Sequence, residues 1–188
     1  MKKIGIIADT HGYVDPEVSN IFEGVDLILH AGDVGDAKVI EELEKISPVI
    51  AISGNHEDDE TAKLDWIKTV EVGEIKIALT HRFFPLTMQD IVPMPDGWQH
   101  TMGVDNVRVM VFGHSHEPFT SDDGKIMYYN SGYSGPDMTE PLRTVGIITV
   151  EGKNVEAITY FLSKPPRTEY LEKVAFHNNF SDKMKNTG

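Results

Sequence analysis

The feature that most constrains the fold is a recurring unit, a short apolar run rich in Ile and Val that stops at a polar cluster. Residues 4–8, 26–30, 48–52 and 107–112 all have this form. Runs of this length, bounded by charges or by Gly and Pro, read as buried strands. Helical signals lie between the first three. Asp15-Pro16-Glu17 supplies an N-cap, a proline at the first helical position and a first-turn acid, and Gly24 is placed to stop the helix. Asp36 caps a second helix in which Val39, Ile40, Leu43 and Ile46 recur at helical spacing while Glu41, Glu42, Glu44 and Lys45 face water. Strand, helix, strand, helix, strand at these spacings predicts parallel pairing with right-handed crossovers.

Beyond residue 68 the pattern changes. Residues 70–72 and 75–79, joined by Gly73-Glu74, read as a hairpin with one polar face, and residues 144–150 and 155–162, joined through Gly152, read as another. Segment 83–106, with Phe83, Phe84 and Trp98, is irregular and long enough to suggest a lid or a covering element. At roughly 150 residues per domain, the chain of 188 residues predicts one domain over 1–162. A C-terminal extension over 163–188 would be part docked short helix and part frayed end.

Seventeen Lys and Arg against thirty Asp and Glu give a net charge of −13. That field repels polyanions, so nonspecific binding to nucleic acid or to an acidic membrane is not expected. No Cys is present, which excludes disulfides, Cys-ligated zinc and a thiol nucleophile. No apolar stretch approaches the ~18 residues of a membrane span, and the first apolar run meets Asp9 too early for a signal peptide. The expected compartment is the cytoplasm.

Five polar clusters sit at the C-terminal ends of predicted strands: Asp9-Thr10-His11, Gly32-Asp33, Gly54-Asn55-His56-Glu57, Thr80-His81 and Gly113-His114-Ser115-His116. In open α/β sheets the carboxyl ends of parallel strands share one rim, so these groups converge on one crevice. Two aspartates, one asparagine and up to five histidines are oxygen and nitrogen donors suited to Mn, Fe, Zn, Co or Ni. Even seven of these as ligands would exceed the four of a closed structural zinc site, and the count favours two adjacent metals sharing a carboxylate. Taken singly, each cluster is also ordinary turn chemistry; their joint order at strand ends is what carries the reading.

The series Asp-x-His, Gly-Asp, Gly-Asn-His-Glu, His and Gly-His-x-His over residues 9–116 resembles the calcineurin-like metallophosphoesterase superfamily. The early Ala8-Asp9-Thr10-His11-Gly12 and the later Tyr129-Asn130-Ser131-Gly132 look most like its small prokaryotic phosphodiesterase branch. The resemblance implies an α/β/β/α sandwich of two mixed sheets flanked by helices. It also implies two divalent metal ions, with Mn favoured and Fe, Zn, Ni or Co as alternatives. Asp9, His11 and His116 would hold one, Asn55, His81 and His114 the other, and Asp33 would bridge. A metal-bridging hydroxide would attack a phosphodiester in line, with His56 facing the substrate and assisting. Two divalent cations, two carboxylates and a hydroxide leave about +1 in the pocket, a local sign reversal that admits an anion to an acidic protein.

Arg82 stands where relatives often carry glycine, and with Asn55 it is a candidate substrate contact. Tyr133, Asp137 and Arg143 are further specificity candidates. His30 reads as a group that orients a ligand through a hydrogen bond, and His100 and His177 as ordinary surface or packing residues. The expected partner is a small phosphoester substrate, without nucleic acid or membrane, and with a homo-oligomer left open. The alternatives are a phosphomonoesterase or nucleotide pyrophosphatase on the same site, or a non-catalytic protein-interaction scaffold of the same fold.

Overall fold

A computed structural model of the chain describes residues 1–83, 98–137, 140 and 142–162. Among these residues ten strands form two five-stranded mixed sheets. The first has the order β10-β9-β1-β2-β3, with β1 (Lys2–Ile7), β2 (Leu27–His30), β3 (Val49–Ala51), β9 (Thr144–Glu151) and β10 (Asn154–Phe161). The second has the order β4-β5-β6-β8-β7, with β4 (Ile67–Val72), β5 (Ile75–Thr80), β6 (Val109–Phe112), β7 (Phe119–Asp122) and β8 (Met127–Asn130).

The predicted parallel pairing holds: β1 and β2 run parallel in the register Ile4↔Leu27, and β2 and β3 in the register Ile28↔Val49. Both predicted hairpins form, β4 with β5 and β9 with β10, each around a two-residue turn. A second parallel trio, β5, β6 and β8, occupies the middle of the other sheet. The β7–β8 hairpin is an element that the strand reading passed over, because Thr120, Ser121 and Asp122 dilute the apolar signal of β7.

The core follows the two-residue period of the strands. Ile4, Ile6, Leu29 and Ile52 of the first sheet pack against Ile77, Leu79, Val109, Val111 and Tyr129 of the second, all essentially without solvent contact. Each such aliphatic side chain contributes about 1.5–3 kcal/mol on burial. Alternate residues Ile7 and Ile28 point to the opposite face, where Val18 and Phe22 from α1 (Glu17–Ile21) and Val39 and Leu43 from α2 (Lys38–Glu44) cover them.

Both helices begin one residue later than the sequence suggests, with Pro16 and Ala37 at the cap positions, yet each of the two aspartates still binds a backbone N–H at the helix start. The Asp15 carboxylate accepts the Glu17 N–H at 3.0 Å, and the Asp36 carboxylate accepts the Lys38 N–H at 2.8 Å. Gly24 at φ +75° turns the chain out of α1. The outer face of the second sheet is covered by Phe83, Met102, Val104 and Val107, after the single-turn α3 (Trp98–Thr101). The described part of segment 83–106 therefore contributes covering residues, as one of its two expectations had it. Phe83 is buried against Phe112 and Tyr128. Phe84, the side chain of Trp98, residues 163–188 and His177 lie outside the described residues, so the lid and tail expectations go no further here. Among the described residues, no helix is long and apolar enough to cross a membrane.

This arrangement places the carboxyl ends of two parallel trios, one per sheet, side by side. Every polar cluster of the sequence falls just beyond one of those ends.

Candidate metal centre

The loops after β1 and β2 continue as a backbone ladder beyond their strands. His11 N–H donates to the Asp33 carbonyl at 3.0 Å and Gly12 N–H to the Val34 carbonyl at 2.7 Å. That ladder sets Asp9, His11 and Asp33 on one crest. The loop after β6 joins it when the His114 N–H donates to both Asp9 carboxylate oxygens, at 3.0 and 3.2 Å. The loop after β3 closes the ring, because the Asp33 Oδ1 accepts the N–H of Asn55 and, at 2.8 Å, that of His56.

Asp9, His11, Asp33 and His116 each offer a ligand atom, and all four atoms lie within 4.8 Å of one another, a group able to hold a metal ion. His116 Nε2 stands 3.5 Å from both Asp9 Oδ1 and His11 Nε2, and His11 Nε2 is 3.8 Å from Asp33 Oδ2. On the other side of the same carboxylate, His81 Nε2 is 3.2 Å from Asp33 Oδ1 and 3.1 Å from Asn55 Oδ1. The His114 ring lies edge-on to that of His81 with centroids 5.2 Å apart. All seven residues proposed from the sequence as ligands thus meet at one place, with Asp33 between two donor groups. His56 is exposed, its ring centroid 5.4 Å from that of His11, while its neighbour Asn55 turns to His81. Arg82, also exposed, donates from Nε to Asn55 Oδ1 at 3.2 Å.

The donor set fits a cation. His81 Nδ1–H is engaged by the Ala31 carbonyl at 2.9 Å, which leaves Nε2 as the free nitrogen facing two oxygens. Lone pairs converging in this way need a positive charge between them or a proton on the ring. The second is visible in His81, where burial is outweighed by the hydrogen bond to Asp33 and the charge of Asp9, so that the imidazole is raised above its ordinary value. Burial alone would raise the Asp33 carboxyl, but the hydrogen bond and charge of His81 and the N–H groups of His56 and Asn55 outweigh it and hold it well below the usual carboxylate range. His116 is pushed up to about 9, first by its hydrogen bond to Asp9 and then, against its burial, by Glu140. Burial lowers His11 and His114 despite the nearby carboxylates.

Backbone strain gathers at the same place. Among the described residues six non-glycine residues have positive φ, and five of them are Asp9, His11, Asp33, His114 and His116. Left-handed backbone at a non-glycine costs of order 1–3 kcal/mol and persists where the surroundings over-determine it, commonly at functional sites. Gly54 answers a different need: a Cβ there would lie 2.1 Å from Asp33 Oδ1.

Two supporting carboxylates were given no role by the sequence reading. Glu57, the last residue of the Gly-Asn-His-Glu cluster, accepts the N–H groups of Val34, Gly35 and Gly54 at 3.2, 2.9 and 2.6 Å and so binds the Asp33 loop to the Asn55 loop. Glu140 Oε1 lies 2.9 Å from His116 Nδ1. The expectation for His30 is corrected. Its Nε2 pairs with Thr10 Oγ1 at 2.9 Å, not with a ligand, and the Thr10 hydroxyl donates to the Val34 carbonyl at 3.0 Å. His30 thereby supports the turn between Asp9 and His11, and burial pushes it down to about 3.

The three rim candidates also separate. Tyr133 packs its ring 4.7 Å from His116 and 5.7 Å from His11. Arg143 is buried and pairs with Asp15 at 2.9 Å, which makes it a tie between loops rather than a specificity residue; Asp137 donates its backbone N–H to the Tyr133 hydroxyl. His100 is an exposed residue paired with Asp105.

Two mixed sheets that gather Asp, His and Asn donors on a common rim define a metal-binding sandwich. The chain belongs to the calcineurin-like phosphoesterase superfamily, whose domain model matches residues 1–153. It is 33% identical over 162 residues to a probable metallophosphoesterase of Methanocaldococcus jannaschii, covering 80% of this chain and 77% of that one. Among solved structures it is similar to a novel archaeal phosphodiesterase, with TM-score 0.62 and 25% identity over 84% of this chain and 99% of the other. It also superposes on Vps29 of Entamoeba histolytica complexed with zinc, with TM-score 0.65 and 17% identity over 87% and 94% of the two chains, a likeness of fold.

Proposed function

We propose that this phosphoesterase-family chain is a phosphodiesterase dependent on two divalent metal ions, with Mn favoured. The observation that carries the reading is the position of Asp33. Its two oxygens face separate donor groups, Oδ2 toward His11 at 3.8 Å and Oδ1 toward His81 at 3.2 Å, so one carboxylate can serve two cations. Asp9, His11 and His116 would complete one set of ligands and Asn55, His81 and His114 the other. The metals, when bound, supply Lewis acidity toward phosphoryl oxygens and a nucleophile from water at neutral pH.

The remaining work falls to side chains of the chain. His56, exposed and with its ring 5.4 Å from that of His11, would hold a phosphoryl oxygen and give a proton to the leaving oxygen. Asn55 orients the facing pair, since it and His56 diverge from adjacent backbone positions that are both pinned to Asp33. Arg82, already at the site through Asn55, adds a cation for one phosphate charge. A single arginine suits the monoanion of a diester, and the likeness to an archaeal phosphodiesterase supports the same substrate class.

The test is metal-restored hydrolysis. Protein stripped by chelator and reloaded with Mn is expected to hydrolyse bis-p-nitrophenyl phosphate in preference to p-nitrophenyl phosphate. His56→Ala should lower kcat by about 10²–10⁴-fold with Mn binding intact. A preference for the monoester would overturn the substrate class. Mn binding without hydrolysis of any phosphoester in a broad panel would favour the interaction-scaffold alternative.

A further inference from the structure

Two histidines in the centre must each aim Nε2 inward, and the fold fixes them by different means. His81 is fixed by a main-chain acceptor, the Ala31 carbonyl just beyond β2, at 2.9 Å from Nδ1. Among the described residues, no carbonyl serves His116 in this way. Its Nδ1 meets the Glu140 carboxylate at 2.9 Å, 24 residues further along the chain, while its Nε2 faces Asp9 and His11.

Glu140 lies in a loop whose two ends are fixed. The ends of its loop are drawn together by the Tyr133–Arg143 bridge and by the Thr144 N–H donating to the Tyr133 carbonyl at 2.7 Å. Arg143 fixes the same ends by donating from Nε to the Gly135 carbonyl at 2.7 Å and by pairing with Asp15 in the loop after β1. Inside the loop, Asp137 N–H donates to the Tyr133 hydroxyl at 2.9 Å, and the Tyr133 ring lies 4.7 Å from that of His116. Glu140 and His116 are both only about a quarter exposed, at 27% each.

A carboxylate behind an imidazole both orients the ring and makes its other nitrogen a stronger donor, and removing such a partner typically weakens metal binding 10–100-fold. The two halves of the centre are unequal in charge as well. The His116 half holds the carboxylate of Asp9 where the His81 half holds the neutral amide of Asn55, with Asp33 common to both. Building on the two-metal reading, we propose that Glu140 is a positioning residue for His116 and that it makes the Asp9–His11–His116 half the tighter of the two metal sites. The distinction is one of binding order: this half loads first and retains its ion when the other has lost its own.

Calorimetric titration of Mn into the stripped full-length protein tests this. The wild type should show two classes of site. Glu140→Ala should weaken the tighter class by about 10–100-fold and leave the weaker class unchanged; Glu140→Gln, which keeps an acceptor without its charge, should lose less. Placed in a His116→Ala background, Glu140→Ala should cause no further loss, which separates positioning from a general effect on the loop. If Glu140→Ala does not fold, the near-isosteric Gln variant decides alone by the same titration. Tighter-class affinity within two-fold of wild type in the variants, or an equal loss without His116, would overturn the proposal while leaving the two-metal reading intact. A wild type that binds no Mn would overturn both.

Discussion

Asp9, His11, Asp33, His114 and His116 keep a left-handed backbone that their side chains disfavour, so their conformation is imposed by the loops around them. The cost can be measured apart from the ligand role. His114→Ala and His114→Gly remove the same imidazole, yet at φ +71° only glycine is unstrained. The metal-free Gly variant should therefore be more stable than the Ala variant by about 1–2 kcal/mol in urea denaturation, and equal stability would show that no strain is stored there. His30 gives a pH signature. Its neutral ring is buried and its folded pKa of about 3 lies below the solution value of 6.5, so below pH 6.5 the unfolded chain binds the proton that the native state refuses. Stability should fall by up to about 1.4 kcal/mol per pH unit from pH 6.5 toward 3. His30→Gln, which can still donate to Thr10, should flatten that acid limb. An unchanged limb would place the acid sensitivity elsewhere. The candidate ligands, which the structure brings together, could be picked out in the sequence because each occupies a short motif at a strand end. Glu140 and the supporting role of Glu57 could not, since hydrogen bonds made 22 to 24 residues away leave no local pattern.

At the level of elements, the strands with unbroken apolar runs and the helices with Asp caps could be read before folding, as β1 to β3, α1, α2 and the two long hairpins show. The β7–β8 hairpin could not be read from hydrophobicity, since β7 alternates only half-buried with exposed residues. The turn pair Asp123-Gly124, with Gly124 at φ +84°, is the signal that would have found it. The packing of connections also escapes sequence patterns. Arg143 reads as a rim cation from its loop context, whereas the folded chain buries it against Asp15 and ties the β8–β9 connection to the loop after β1. Replacing it by Met should leave Asp15 buried and uncompensated, at a cost of about 3–5 kcal/mol in chemical denaturation. A loss below 1 kcal/mol would mean that the tie does not hold the loops. Gly54→Ala, which drives a methyl group into Asp33, should abolish Mn binding even in protein that still folds; retained affinity would show that the two loops can separate without disturbing the centre.

For the whole molecule, the fold is a frame that brings six strand ends to one edge, and on the proposed reading that edge is where an acidic protein would accept a phosphate. The net charge of −13 opposes anions, and cations held at this edge would reverse the sign locally. Metal should therefore act as a ligand of the native state. With Mn at 100 times its dissociation constant, each filled site adds about 2.7 kcal/mol, and for a chain of this size Tm should rise by roughly 2–4 °C per kcal/mol. A chelator should reverse the gain, and a Tm indifferent to Mn and to chelator would argue that the centre is not formed for metal. The most direct measurement is an anomalous-scattering map of crystals grown with Mn. Two peaks about 3.5–4 Å apart are expected on either side of Asp33, one among Asp9, His11 and His116, the other among Asn55, His81 and His114. A single peak, or none at this rim, would contradict the account.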